Sequence, residues 1–409
     1  MDYLIKAPDN LRTTVHLPAS KSISNRILFL NALSTNPQEI QNLSDCDDTN
    51  VMLHALQSRH PDIDIRAAGT AMRFLTAYLA GQKGQWTITG TERMKNRPIR
   101  ILVDALNNLG ARIEYLDKEG FPPLKIDGRT LEGGEVSFDG GISSQYISAL
   151  LMAAPCMANG LRLHLTGNII SKPYIRLTIW LMKEFGVSVF EEGQSFIVPP
   201  QSYTSVPFTV ESDWSAASYW YEMVSLLDKV EVTLTGLFSV SSQGDSHIVE
   251  LFSQLGVETT FTPEGVMLKR KERTMVRPFV VDFTDIPDMA QTFVVTCAML
   301  DVPFYFTGLQ SLKIKETDRL SALRVELSKL GYLIAEQDGK ILQWNGERTE
   351  SIASPLIQTY EDHRMAMAFA PLALRYPNGI QIANIEVVSK SYPCFWKDLS
   401  EAGFSITEL

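Results

Sequence analysis

Six stretches of this chain are apolar on nearly every side at helical spacing, and each opens on a cluster of small, hydroxyl or charged residues. The openings are Ser20-Lys21-Ser22, Ala68-Gly69-Thr70, Ser143-Ser144-Gln145, Ser212-Asp213-Trp214-Ser215, Ile286-Pro287-Asp288 and Glu361-Asp362-His363-Arg364. A helix that is apolar all round must be buried all round. The pattern therefore predicts six central helices, with their polar starts gathered at a limited number of places.

A second pattern repeats between them. Amphipathic stretches end at a glycine and pass into a strand: Asp104 to Leu109 before Gly110, Trp180 to Phe185 before Gly186, Val249 to Leu255 before Gly256, Arg324 to Leu330 before Gly331, and Lys397 to Ala402 before Gly403. Successive glycines lie about 70 to 76 residues apart, a period that marks a repeated supersecondary unit. Glycine suits these positions because the left-handed turn after a helix carries no Cβ penalty there. Strands are predicted after the central helices at Leu161 to Thr166, Val230 to Thr235, Pro303 to Thr307 and Gly379 to Ala383, with a first strand over Tyr3 to Leu17.

Six units divide most naturally into two triplets. The predicted fold class is α/β, with two domains of three repeated units, central helices inside and sheets outside. The boundary falls near Val210 to Asp213, and the first strand is expected to cross back, giving one domain of residues 1–19 and 212–409 and another of 20–211.

Composition narrows the chemistry. With 409 residues, 45% hydrophobic, the chain is long enough for two or three domains. A net charge of -10 argues against a nucleic-acid surface, which needs a basic face, but leaves room for local Lys and Arg clusters that hold a small anion. Cys46, Cys156, Cys297 and Cys394 form no CxxC pair and are expected to be buried thiols. The histidines form no HExxH, and there is neither a Walker loop nor a GxGxxG at a helix start, so neither a metal nor a cofactor is expected. No run approaches a membrane span and Met1 to Asn10 lacks an apolar core, so the expectation is a cytoplasmic protein, a monomer, with small-molecule partners.

A helix N-terminus carries unpaired N–H groups and about half a positive charge, which favours anions. Several of the predicted starts nevertheless carry cations. Lys21, Ser22 and Arg26 lie at the first, with Ser22 and Arg26 four apart on one face; Arg364 lies at the sixth. A bound anion would account for both. Three further segments are similar: Glu92-Arg93-Met94-Lys95-Asn96-Arg97-Pro98, with Pro98 as a first helical residue, Ser171-Lys172-Pro173-Tyr174, and Lys313-Ile314-Lys315-Glu316-Thr317-Asp318-Arg319, where Lys315 and Arg319 are four apart and point the same way.

These segments, with Leu17-Pro18-Ala19-Ser20-Lys21-Ser22-Ile23-Ser24-Asn25-Arg26, Ala68 to Arg73, Asp362 to Met367 and Ser389-Lys390-Ser391-Tyr392-Pro393, follow in order the signature blocks of the 5-enolpyruvylshikimate-3-phosphate synthase family, which the whole chain resembles. The resemblance implies two domains closing on a cleft, and addition–elimination between phosphoenolpyruvate and shikimate 3-phosphate. It implies that Ser22 and Arg26 hold the shikimate carboxylate and that Ser143, Ser144 and Ser171 hold its phosphate. Tyr174 would lie against the ring, and Lys21, Gln145, Asp288, Ser311 and Lys315 would also meet this substrate. It implies phosphoenolpyruvate contacts from Lys21, Gly69, Thr70, Arg97, Gln145, His363 and Lys390, with its carboxylate on Arg319 and Arg364. Asp288 would be the base, Glu316 the acid and Lys21 an assistant.

Some positions depart from the family spelling: Ala19 for a glycine, Arg66-Ala67 for Gly-Asn, Phe74 for a proline and Ser311 for an asparagine. Arg66 is expected to compensate for the lost asparagine, and Phe74, behind the Gly69-Thr70 turn, to weaken binding of the phosphonate glyphosate. The sister transferase acting on UDP-N-acetylglucosamine uses a mobile-loop cysteine, and the stretch Arg93 to Pro98 has none.

Overall fold

The computed structural model describes every residue except Arg59. The chain divides into two compact units, one of Met1–Pro18 with Glu211–Leu409 and one of Ala19–Val210. The smaller unit contains helices α1 (Lys21–Leu33), α2 (Asp47–Gln57), α3 (Gly69–Ala80), α4 (Arg100–Asn108), α5 (Ser144–Ala153) and α6 (Lys172–Glu184). The larger contains α7 (Trp214–Leu226), α8 (Ile248–Gln254), α9 (Ala290–Met299), α10 (Arg319–Lys329), α11 (His363–Phe369) and α12 (Phe395–Glu401). Odd-numbered helices are the central ones. Every residue of α9 and α11 is buried, as is all of α7 but Ser215, whereas even-numbered helices bury one face.

The sheets follow one scheme. Five of four strands share an arrangement in which a parallel pair is extended on one side by an antiparallel hairpin or its equivalent. In one of them Gly134–Asp139 runs parallel to Leu161–Thr166 through α5, and Ser195–Val198 and Phe190–Glu192 complete it. The five glycines after the outer helices all take the left-handed turn, with φ from 81° to 101°.

The first segment is two strands rather than one. Tyr3–Lys6 pairs with Ile380–Ile382 and Ser405–Glu408, while Leu11–Val15 runs parallel to Val230–Thr235 in a different sheet. Pro8, which has no N–H to give a ladder, lies in the break between them. A cysteine expectation also fails by half: Cys46 and Cys297 are buried, but Cys156 and Cys394 are exposed and all four are free thiols. Cys156 ends the 3-10 turn Ala154–Cys156 after α5, and Cys394 is the residue just before α12, so each lies at a helix end rather than within a buried helix.

Each unit has its own apolar core. In the larger, Phe293 on α9 lies 4.4 Å from Phe252 on α8 and 5.5 Å from Phe283, ring centroid to centroid; full burial of such a ring contributes roughly 1.5–3 kcal/mol. One side chain in this core is out of place. Glu222 in the middle of α7 is fully buried, and among the described residues neither carboxyl oxygen has a hydrogen-bond partner. Burial pushes its carboxyl well above the usual range, with Thr296 only partly offsetting this. A raised acid stabilises the fold below the ordinary carboxyl range and loses that contribution as pH rises through the raised value. Glu222→Gln is therefore expected to stabilise the protein at pH 8 by about 1–3 kcal/mol, with the gap shrinking toward pH 4. Urea unfolding at both pH values checks this, and a constant difference would contradict it.

Candidate active site

The larger unit brings one polar cluster to the starts of α7, α9, α10 and α11. Asp288 lies in a short 3-10 turn, Pro287–Met289, that feeds α9. Its carboxylate meets Lys315 at 3.3 Å, Arg319 at 2.7 Å and Arg364 at 3.6 Å. Burial alone would raise this carboxyl, but Lys315, Arg364 and Arg319 together over-compensate and hold it far below the usual range. Arg364 also donates to the Asp288 carbonyl at 3.3 Å. Glu316 meets Arg319 at 2.9 Å and Lys390 at 2.8 Å. The two acidic groups of the sequence reading thus share one guanidinium.

Arg319 is the pivot. It is 1% exposed, and its Nε donates to Asp362 at 2.6 Å while its two terminal nitrogens reach Asp288, Glu316 and again Asp362. Burial works against its charge, but Asp362, Glu316 and Asp288 raise its proton affinity above the ordinary arginine value. A fork enclosed by three carboxylates is an organiser. Four of its five N–H groups are taken, which leaves one on Nη1 for a substrate carboxylate. Lys315 and Arg319 do converge on Asp288, but not through helical spacing: Arg319 is the first residue of α10, capped by Asp318, and Lys315 lies outside it in the bend that follows the 3-10 turn Gln310–Ile314.

Two acids here had no role expected from the sequence. Asp362 caps α11 by accepting from Arg364 N at 2.9 Å while holding Arg319. Asp245 accepts from the Ser215 hydroxyl, whose oxygen accepts from Arg364 at 3.4 Å. Burial pushes the Asp245 carboxyl up to about 6, Arg364 and Ser215 partly opposing. Asp362 stands two residues before the motif cation Arg364, which was the available signal, whereas Asp245 lies in no motif and reaches Arg364 only through the fold. His363 is buried at the start of α11, its Nδ1 3.6 Å from Asp362, and the Ser311 hydroxyl is shielded with no hydrogen-bond partner among the described residues.

The smaller unit gathers a second cluster at the starts of α1, α3, α5 and α6. Ser20 caps α1, and Lys21, its first residue, lies 3.6 Å from the buried Asp48 of α2. That carboxylate supplies a counter-ion for a cation at the positive end of a helix. Ser22 lies beside it, and its carbonyl accepts from Arg26. Arg26 is buried and also donates to Thr178, Ser148 and the Tyr174 carbonyl. Burial pushes it down to about 10, so this guanidinium ties α1, α5 and α6 together and has one N–H left for a ligand.

Gly69 opens α3 against two guanidiniums. A Cβ there would stand 2.5 Å from Arg97 Nη1 and 2.8 Å from Arg73 Nη1. Arg73, another residue without an expected role, donates to the Gly69 carbonyl at 2.8 Å and lies over the Tyr146 ring. Pro98 does not begin a helix, because its carbonyl is taken by the Tyr146 hydroxyl at 2.6 Å and α4 starts at Arg100. Ser143 caps α5 by accepting from Gln145 N, and the Gln145 side chain donates to Thr70 at 3.1 Å. Ser144 is buried in the first turn. Ser171 precedes α6 in a left-handed conformation, φ 55°, and its hydroxyl makes no capping bond. Such strain in a non-glycine residue is stored where geometry serves function. Arg66 points away from this group: it is exposed and lines a cavity with Asp47, Asp62 and Asp64. Phe74 is fully buried, under Arg26 and against Phe29.

Chemically, the larger unit offers two carboxylates for proton transfer, each held by exchangeable cations, and the smaller offers hydroxyls, N–H groups and cations suited to phosphate and carboxylate. No cluster of metal ligands occurs among the described residues.

Comparison with known proteins agrees with this chemistry. The sequence profile of the family described as EPSP synthase (3-phosphoshikimate 1-carboxyvinyltransferase) matches residues 5–61 and 57–399. The chain is 60% identical over 407 residues to the 3-phosphoshikimate 1-carboxyvinyltransferase of Bacteroides fragilis, covering 99% of both, and 37% identical to that of Vibrio vulnificus, covering 97% and 96%. In structure it is similar to the EPSP synthase of Acinetobacter baumannii, with a TM-score of 0.78 at 19% identity over 100% of both chains. It is also similar to the enolpyruvyl transferase NikO of Streptomyces tendae, with a TM-score of 0.76 at 16% identity over 99% and 98%. The two structural likenesses bear on the fold, which is that of the enolpyruvyl transferases. On the evidence of the profile and of relatives aligned over nearly its full length, the chain belongs to the EPSP synthase family.

Proposed function

We propose that the two polar clusters act on one pair of substrates, closing on them, and that the chain transfers the enolpyruvyl group of phosphoenolpyruvate to the 5-hydroxyl of shikimate 3-phosphate. The observation that carries this reading is the pairing of Asp288 and Glu316 across Arg319, with Lys315, Lys390 and Arg364 within ion-pair reach of the two carboxylates. In the first step the 5-oxygen bonds to C2 of phosphoenolpyruvate, its proton going to Asp288, while C3 takes a proton from Glu316. In the second, the C2–O bond to phosphate breaks, C3 returns a proton and the vinyl ether remains. Lys21 assists at the departing oxygen.

The cations explain how carboxylates so strongly stabilised as anions take part. Arriving phosphate and carboxylate groups compete for Lys315, Lys390 and Arg364. Each cation drawn away raises the proton affinity of Asp288 or Glu316, so substrate binding itself prepares the base and the acid. In the smaller unit, Ser22 and the remaining N–H of Arg26 take the shikimate carboxylate, and Ser143, Ser144 and Ser171 its phosphate, with Tyr174 against the ring. Lys21, the Gly69 backbone, Arg97 and Gln145 take the phosphoenolpyruvate phosphate. The chain is proposed to work as a monomer in the cytoplasm; no helix among the described residues is long and apolar enough to cross a membrane.

Phosphate release from phosphoenolpyruvate should depend on shikimate 3-phosphate and should not occur with UDP-N-acetylglucosamine; the opposite preference would overturn the reading. Within it, Gly69→Ala displaces the Arg97 and Arg73 guanidiniums. The expected result is a KM for phosphoenolpyruvate raised about 10- to 100-fold with an unchanged KM for shikimate 3-phosphate, measured by steady-state kinetics.

A further inference from the structure

The central helices of the larger unit have another end. α9 and α11, with the 3-10 turn Ala370–Leu374 that continues α11, run from the acidic and basic groups described above to Leu300 and Arg375. There a cavity of about 420 Å³ is lined by Met299, Leu300, Asp301, Tyr332, Arg375 and Tyr376. It shares no residue with the candidate active site.

Arginines collect beside it. Arg273 donates to the Leu300 carbonyl at 3.2 Å, and its Nε is buried without a partner among the described residues. Arg270 donates to the carbonyls of Leu255 and Gly256, at the end of α8. Arg273 is pushed down first by burial and then by the like charges of Arg270, Arg375 and Arg277, with Asp228 alone opposing. Among the described residues none of the four guanidiniums lies within ion-pair distance of a carboxylate. Asp301 is engaged by Arg348, which stacks over the Tyr332 ring at 3.8 Å.

Two helix ends contribute roughly half a negative charge each and Asp228 one more, so four arginines leave about two positive charges uncompensated. Capping of helix ends accounts for Arg270 and for one nitrogen of Arg273. It does not account for the guanidiniums of Arg375 and Arg277: both residues are exposed, and although the Arg375 backbone closes the 3-10 turn Ala370–Leu374, among the described residues neither side chain bonds a helix-end carbonyl. Guanidinium forks with two charges to neutralise match a phosphate dianion. The cavity is larger than a phosphate ion requires and is in the range of small-molecule sites, and Tyr332, Tyr376 and Met299 line it within a wall that is mostly polar and suits a hydroxylated organic group.

We propose that this cavity binds a small phosphate ester, its phosphate held by Arg273, Arg375 and Arg277 and its organic part against the two tyrosines. Calorimetric titration of the full chain with glycerol 3-phosphate tests it. The double variant Arg375→Ala/Arg277→Ala, which removes exposed side chains, should lose one bound equivalent per chain or weaken it at least about 10-fold. Any binding at the candidate active site, and kcat and KM measured without the ester, should stay unchanged. Inorganic phosphate should bind the same site more weakly than the ester. Identical stoichiometry and affinity in wild type and double variant would overturn the proposal, as would an inorganic phosphate affinity equal to the ester's.

Discussion

An Asp288→Asn protein is expected to bind both substrates and to turn over about 10²- to 10⁴-fold more slowly than wild type, the range for removing a positioned general base. Asparagine keeps the shape of the side chain and an acceptor for Lys315 and Arg364, so the cluster stays assembled. What it lacks is a lone pair basic enough to take the 5-hydroxyl proton. The loss should therefore appear in kcat with small changes in KM, the mark of an interaction used in the transition state. Single-turnover measurements separate this from slow product release. A kcat within about tenfold of wild type would remove Asp288 from the proton path and leave it a holder of cations.

The second large effect is on stability. Arg319→Met takes the one fully buried cation from among Asp362, Asp288 and Glu316. Breaking a buried ion pair by deleting one partner costs about 3–5 kcal/mol, because the remaining charge is left uncompensated. Here three carboxylates would face one another, with Lys315, Lys390 and Arg364 compensating only from one side. Because Asp288 is held far below the usual carboxyl range, the destabilisation should be full at neutral pH and shrink only as pH falls below that range. Arg319→Lys should not restore stability, since a single ammonium cannot reach Asp362, Asp288 and Glu316 together. Trp214, Trp220 and Trp344 are buried in the same unit, so tryptophan fluorescence during urea unfolding follows the change. A shift below about 1 kcal/mol would mean that the cluster reorganises around the missing charge.

The fold was legible where local rules act alone. A helix apolar all round, such as Ala290 to Met299, has no surface face to offer, and a glycine such as Gly331 is needed wherever the chain turns left-handed after a helix. The break at Pro8 was missed because the alternation on either side of it reads as one strand, and only the pairing of each half with a different sheet separates them. For the site, a motif cation such as Lys315 or Arg364 announces itself in sequence. Its partner does not: Asp48, Asp245 and Asp362 are chosen by tertiary contact, and Asp362 looks like an ordinary helix cap until Arg319 is seen against it. The same contact engages Arg319, for which the family resemblance implied a role toward the phosphoenolpyruvate carboxylate.

Running the reaction in deuterium oxide tests the account most directly, because addition–elimination requires C3 of phosphoenolpyruvate to accept a solvent-derived proton through Glu316. Mass spectrometry of the enolpyruvyl product should show deuterium in the methylene group with the wild-type protein, and Glu316→Gln should slow turnover and deuterium entry together. A wild-type product formed at full rate without deuterium would contradict the mechanism.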